Sequence, residues 1–233
     1  MIDQSQRLMT TEELLAIPDD GISRELIRGH LREYETQESE AMIAMLDQSQ
    51  RLMTTEELLA IPDDGISREL IRGHLREYDM TRRNRRHSRT VSRLSHLLEL
   101  WLEGLPAPSG EILAGDAGVR LLRDPDTTVG VDVAYISAVT AAATPEGAFL
   151  IDAPPVLAVE VLSPSDRQND VLDKVEDYLR AGVKLVWVVE PVFRTVCVYQ
   201  SDDEPRLFNV RDELNGDPHM PGLRIPVARI FGR

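Results

Sequence analysis

The sequence predicts an α/β domain, a mixed β-sheet with helices on its faces. Three features of the 233-residue chain carry that expectation. Pro155 to Leu162 is an apolar run broken only by Glu160, as a strand buried on both faces reads. A turn, an amphipathic helix and a second apolar run, KLVWVVEP, follow it, which is the pattern of a strand–helix–strand crossover. Ahead of that crossover a long amphipathic helix precedes several strand-like stretches with no helix of comparable length between them, the mark of antiparallel neighbours.

The elements follow in chain order. Residues 1–34 recur as residues 45–78, and only Ile2 and Leu46 differ. In each copy Thr10 or Thr11 (Thr54 or Thr55 in the second) can cap a short helix with glutamates in its first turn. Pro-Asp-Asp-Gly stops that helix, and SRELIRGHLREY alternates around a glycine as a β-hairpin does. Solenoid repeats need about three copies to bury a continuous face, so two near-identical copies read as a tandem duplication. Both cannot fill one slot in one fold. The second is contiguous with the remainder, so the expected organisation is a duplicated segment plus acidic linker over residues 1–44 and one domain over residues 45–233. The first copy is then spare, either tethered or docked on a neighbouring protomer.

Residues 82–105 place Val91, Leu94, Leu97, Leu98 and Trp101 at helical spacing and end at Gly104. Strands are expected near 111–114, 118–122 and 131–137. Residues 139–152 read as a loop with room for one helical turn. The strand at 156–162 leads to a helix over 166–181, closed by Gly182. KLVWVVEP and RTVCVYQ form a hairpin, RLFNV is a weaker strand, and GLRIPVARIFG ends the chain as a short strand and a helical turn.

Composition narrows the functional classes. The formal charge of −14 argues against capture of nucleic acid by the global field, so any such role rests on a local basic patch. Arg82, Arg83, Arg85, Arg86 and Arg89 form one at the start of the long helix, a candidate phosphate-contacting surface; a solvated helix face is the plain alternative. The single cysteine, Cys197, excludes an intrachain disulfide, and a cytoplasmic location is the expectation. Nothing at the N-terminus reads as a signal peptide, and no apolar stretch is long enough to span a bilayer.

Glu160 and Asp132 are the candidate reactive residues. An ionised carboxylate in an apolar strand is costly unless paired, and a metal ion is one such partner; an ion pair with a Lys or Arg is the other. Asp132 lies in the second apolar strand, VGVDVAYIS. Lys174 lies on the helix after Glu160, one face of which carries Asp170, Lys174 and Tyr178 at i, i+4 and i+8. Taken alone, Lys174 would pair with Asp170 on the helix surface, and Glu69, among charged neighbours in a hairpin, would be exposed. His87 and His96 have no partner at metal-ligand spacing and read as structural, and Trp187 reads as core.

RELIRGHL, VDVAY, VEVLSPS, Asp170-x3-Lys174-x3-Tyr178, AGVKLVWVVEP and PGLRIPVARIF stand in an order that resembles the Uma-two family of restriction endonucleases, a branch of the PD-(D/E)xK nuclease superfamily. The resemblance covers roughly residues 51–233. It implies a restriction-endonuclease-like core that binds Mg²⁺ through Asp132 and Glu160 and acts on DNA. It promotes Lys174 to the site lysine, displaced from the position two after the second carboxylate, where Leu162 stands. It adds Glu69 as a further site carboxylate, with Glu25 its duplicate. The proline that usually precedes the aspartate is Val131 here. Three functions follow as expectations: a Mg²⁺-dependent DNA endonuclease, a catalytically silent nucleic-acid-binding or regulatory domain with the same fold, and a self-association module, with a homodimer open, driven by the duplicated hairpin.

Overall fold

The computed structural model describes residues 9–17, 23–28, 30–34, 51–78, 84–164, 166–201 and 203–232. They divide into two compact units, Met1–Arg51 and Leu52–Arg233. The first holds helix α1 (Thr11–Leu15) and the hairpin of β1 (Ser23–Ile27) and β2 (His30–Tyr34). Thr10 caps α1 through a capping box, its hydroxyl accepting from the Glu13 amide while Glu13 accepts from the Thr10 amide.

The second unit repeats that motif as α2 (Thr55–Leu59), β3 (Ser67–Ile71) and β4 (His74–Tyr78), capped by Thr54 in the same way. The β3–β4 turn places Arg72 and Gly73 at φ 51° and 79°, the left-handed pair that a two-residue hairpin requires. Helix α3 (Arg85–Leu102) follows, its N-terminus capped by the Asn84 side chain, which accepts from the Arg86 and His87 amides. Then come β5 (Glu111–Leu122), β6 (Thr127–Ile136), α4 (Ala138–Ala143), β7 (Leu157–Val161), α5 (Gln168–Arg180), β8 (Leu185–Glu190), β9 (Thr195–Gln200) and β10 (Asp203–Asn209). A small hairpin, β11 (Glu213–Asn215) with β12 (Arg224–Pro226), and helix α6 (Val227–Phe231) close the chain.

The principal sheet has eight strands in the order β10-β9-β8-β7-β6-β3-β4, with β5 on the other edge of β6. Only β7 and β8 run parallel, and α5 is their crossover, so the sheet is mixed as the sequence predicts. Alternation along the central strands feeds two cores. Leu185, Trp187 and Val189 pack with Leu94, Leu98 and Leu102 of α3 and with Ile230 of α6. Val186 and Val188 pack on the opposite side with Val175 and Tyr178 of α5.

Two local expectations change. The segments at 111–114 and 118–122 are one strand, not two. A β-bulge interrupts the register between Ala114 and Ala117, and Gly115 and Asp116 there take φ of 90° and 57°. A bulge breaks the period-2 alternation without breaking the strand, so it reads in sequence as a gap. The stretch expected as a loop with room for one helical turn holds a somewhat longer helix, α4, capped by the Ser137 hydroxyl, and returns at Ile151 to bridge Val119 of β5.

Candidate active site

The site fills a fork in the sheet. One edge of β6 is paired with β5 along its length. The other edge meets β3 at Thr128 and β7 only at Val133–Tyr135. Between those points, residues 129–132 have no strand on that edge, and unpaired backbone in a protein interior must find other partners. Side chains supply them. The Gly130 amide donates to Glu69 Oε1 at 3.1 Å, and the Gly130 carbonyl accepts from Lys174 Nζ at 3.2 Å. On β7, just beyond its last pairing with β6, the Val161 amide donates to Asp132 Oδ2 at 2.8 Å. The divergence of β3 from β7 thus gathers Glu69, Asp132, Glu160 and Lys174 into one place.

Asp132 stands one residue before Val133 and Glu160 one residue after Val159, so both lie at the same end of the β6–β7 ladder, just beyond its last pair, and near enough that the charge of Asp132 acts on Glu160. Glu160 continues the face of Ala158, toward α5. Its Oε1 accepts from the Tyr178 hydroxyl at 2.5 Å and lies 3.5 Å from Lys174 Nζ. Burial pushes the Glu160 carboxyl up to about 7; the charge of Lys174 opposes that, the nearby charge of Asp132 adds to it, the Tyr178 bond opposes it and Glu69 adds again. Lys174 is held firmly protonated. Its burial disfavours the charge, but Glu160 and Glu69 outweigh that loss.

Lys174 Nζ sits 2.8 Å from Glu69 Oε1, its closest carboxylate. The helix-surface pair with Asp170 does not form: Asp170 faces Arg76 at 3.3 Å, and Lys174 turns inward instead. Glu69 is correspondingly buried, 7% exposed, against the exposure its hairpin pattern suggests. The pattern misleads because Leu70↔Thr128 docks β3 against β6 and carries Glu69 into the fork. In the geometry Glu69 serves as the anchor of Lys174 and of the Gly130 amide.

Two further residues were not singled out by the sequence as members of the site. His87 is 3% exposed, and its Nε2 lies 3.2 Å from Asp132 Oδ2. The signal was present: His87 is in phase with Val91, Leu94 and Leu98 on the buried face of α3, whereas His96 lies off that phase and is exposed. Tyr178 was placed on the right helix face, but its partner Glu160 became visible only with the crossover folded.

The candidate donor set is two carboxylates with unequal oxygens. Asp132 Oδ2 is taken by Val161 and His87, and Glu160 Oε1 by Tyr178 and Lys174. Asp132 Oδ1 and Glu160 Oε2 carry no hydrogen bond among the described residues. No cluster of three or more His, Cys, Asp or Glu side chains stands at metal-binding geometry among those residues. A pair of hard oxygens on neighbouring carboxylates nevertheless fits Mg²⁺, which takes one or two carboxylates and completes its shell with water and substrate phosphate.

A cleft of about 590 Å³ opens at the end of β7, two residues beyond Glu160. Arg85, Arg86 and Arg89 of α3 line it, opposite Leu162–Pro164 and the β8–β9 turn at Pro191 and Val192. All three arginines are exposed. Arg82 and Arg83, the other members of the basic cluster, lie outside the described residues. No described helix is long and apolar enough to cross a membrane.

Comparisons with known proteins agree with this architecture. A structure titled as a putative nuclease belonging to DUF820, from Anabaena variabilis ATCC 29413, superposes with a TM-score of 0.66 at 19% identity, over 77% of this chain and 97% of that one. At that identity the likeness speaks for the fold. A comparison with curated proteins returned no match. The family profile Uma2, described as "Putative restriction endonuclease", matches residues 55–228. Because that match runs from α2 to the start of α6 and takes in Glu69, Asp132, Glu160 and Lys174, the chain belongs to the Uma2 family of restriction-endonuclease-like proteins.

Proposed function

We propose that the chain is a Mg²⁺-dependent endonuclease that hydrolyses phosphodiester bonds of DNA. The observation that supports this reading is that Asp132 and Glu160 lie together at the end of the β6–β7 ladder, each with one oxygen fixed by the protein and one left over. A divalent ion bound there supplies Lewis-acid polarisation of the phosphate and a water of lowered pKa. Every other part is furnished by the chain. The Val161 amide and His87 fix the orientation of Asp132. Tyr178 fixes Glu160. Lys174, kept charged by Glu160 and Glu69, stands beside Glu160, where it can stabilise negative charge that grows on the phosphate. Arg85, Arg86 and Arg89 offer guanidinium groups to the backbone of the nucleic acid and provide the local positive patch that the global charge lacks.

A second reading, a binding domain without catalysis, draws on one observation. Lys174 already makes contacts with Glu69, Gly130 and Glu160, so no donor is held in reserve for a phosphate. Supercoiled plasmid, single-stranded DNA and RNA incubated with Mg²⁺ separate the two. The endonuclease reading expects metal-dependent cleavage of DNA, reduced on the order of 100-fold or more in Glu160→Gln. Cleavage that persists in that variant contradicts it. Binding of DNA without cleavage, lost on charge reversal of Arg85, Arg86 and Arg89, establishes the second reading.

A further inference from the structure

The duplication bears on how the site is assembled. The second copy is seated on the sheet by a small set of contacts. Thr55 donates its amide and hydroxyl to Asp126 Oδ2 at 2.7 and 2.6 Å. The Gly73 amide donates to the Asp126 carbonyl at 2.7 Å. Leu70, wholly buried, lies opposite Thr128. Arg72 pairs with Asp177 at 2.9 Å, and Glu69 with Lys174 at 2.8 Å. The residues that make these contacts have identical counterparts in the first copy: Thr11, Gly29, Leu26, Arg28 and Glu25. The first copy also folds the same way locally, with the same capping box and the same hairpin register.

We propose that the two copies compete for one docking site: residues 9–34 replace residues 53–78 beside β6, and Glu25 then takes the place of Glu69 on Lys174. The occupant is a segment of the same chain, and the interface it would form is the one the second copy already shows. Identical residues on an identical surface give identical contact free energies, so the tether alone separates the two states. The second copy reaches α3 through residues 79–84 and the first through residues 35–84, a connection roughly eightfold longer. Loop-closure entropy scales with the logarithm of length with a coefficient of three halves, which favours the second copy by about 20-fold. Roughly one molecule in twenty would then hold the first copy in the slot, and the first copy would take over wherever the second is weakened. The proposal rests on the fold and the repeat, and the outcome of the nuclease assay leaves it untouched.

Thermal unfolding of the full chain tests it with three variants: Leu26→Asp, Leu70→Asp and both together. An aspartate in place of Leu70 expels the second copy from the slot, and Leu26→Asp does the same for the first. The expected result is a midpoint near wild type for Leu26→Asp, a modest fall for Leu70→Asp, and a much larger fall for the double variant, which has no intact copy to dock. Equal behaviour of Leu70→Asp and the double variant overturns the proposal. A trapping experiment answers the same question without a core lesion. Thr55 Oγ1 and Thr128 Oγ1 are 2.7 Å apart, so those two positions approach closely enough for a disulfide. In a Cys197→Ser background, the pair Thr11→Cys and Thr128→Cys is expected to cross-link in glutathione buffer, about 20-fold more slowly than Thr55→Cys with Thr128→Cys. A monomer mass for the product supports docking within one chain, and a dimer mass overturns it. Absence of the cross-link under conditions that complete the control overturns the proposal.

Discussion

The two copies of the N-terminal segment are a controlled comparison that the chain performs on itself. Over the residues described in both, they are locally alike. Thr10 and Thr54 cap their helices at φ −92° and −94°, and both hairpins pair Ser with Tyr and Ile with His in one register. Their surroundings differ, and with them the fate of equivalent side chains. Glu25 is exposed and Leu26 half-buried, whereas Glu69 and Leu70 are buried. Thr11 is exposed, while Thr55 is enclosed and bonded to Asp126 and Thr128. Capping and strand pairing are therefore properties of the sequence, whereas burial, and with it any role for the glutamate, is conferred by the strand it lies against.

The comparison can be sharpened by substitutions graded in effect. The largest is expected from Lys174→Met, which leaves the buried Glu69 without its cation. Removing one partner of a buried pair costs about 3–5 kcal/mol, and neither copy can compensate, because the lysine is present once. Chemical denaturation measures it; a loss below about 1 kcal/mol would mean that the fork does not depend on the pair. His87→Ala comes next. Loss of the group that orients a ligand carboxylate typically weakens metal affinity by about 10- to 100-fold, and calorimetric titration with Mn²⁺ reads that directly, with His87→Gln as the conservative control. Glu69→Gln follows. Its cost should not exceed about 2 kcal/mol, since the first copy with Glu25 can take the slot at that free energy. Glu25→Gln should change stability by less than about 0.5 kcal/mol. Equal effects at the two glutamates would dissolve the distinction between the copies.

Acidity adds a further test. Burial, chiefly, raises the Glu160 carboxyl to about 7, so below that pH the folded protein holds a proton that a metal ion must displace. Metal affinity is expected to fall by up to about tenfold per pH unit below 7 and to level off above it. Without metal, the sign for stability is the reverse. The folded form keeps the proton while the unfolded form loses it near the ordinary value of 4.5, so the contribution of this group is present below that value and is lost as pH rises to about 7. Calorimetry at pH 6, 7 and 8 checks the first effect, and thermal midpoints from about pH 4.5 to 8 check the second.

The sheet and the crossover were legible because their signal is local. The apolar run around Glu160 and the helical spacing of residues 168–180 state both the element and the face. Asp132 was legible for the same reason. Lys174 and Glu69 were legible only through resemblance, since their pattern fits a solvated surface equally well and the fork that joins them is formed by residues far apart in sequence. His87 reads as structural by metal-ligand spacing, because such spacing carries no signal for a single imidazole aimed at a carboxylate. The helical phase it shares with Leu94 and Leu98 would have placed it inward. The bulge at Gly115 and Asp116 was hidden because it imitates a strand end.

Under the proposed endonuclease function, Asp132 Oδ1 and Glu160 Oε2 hold one divalent ion just beyond the end of the β6–β7 ladder. A crystal soaked in Mn²⁺ and measured at its absorption edge tests this most directly. The expected result is a single anomalous peak within about 2.0–2.3 Å of both oxygens, absent in Glu160→Gln. An empty position between the two carboxylates at saturating Mn²⁺, with both still bonded only to Val161, His87, Tyr178 and Lys174, would contradict it.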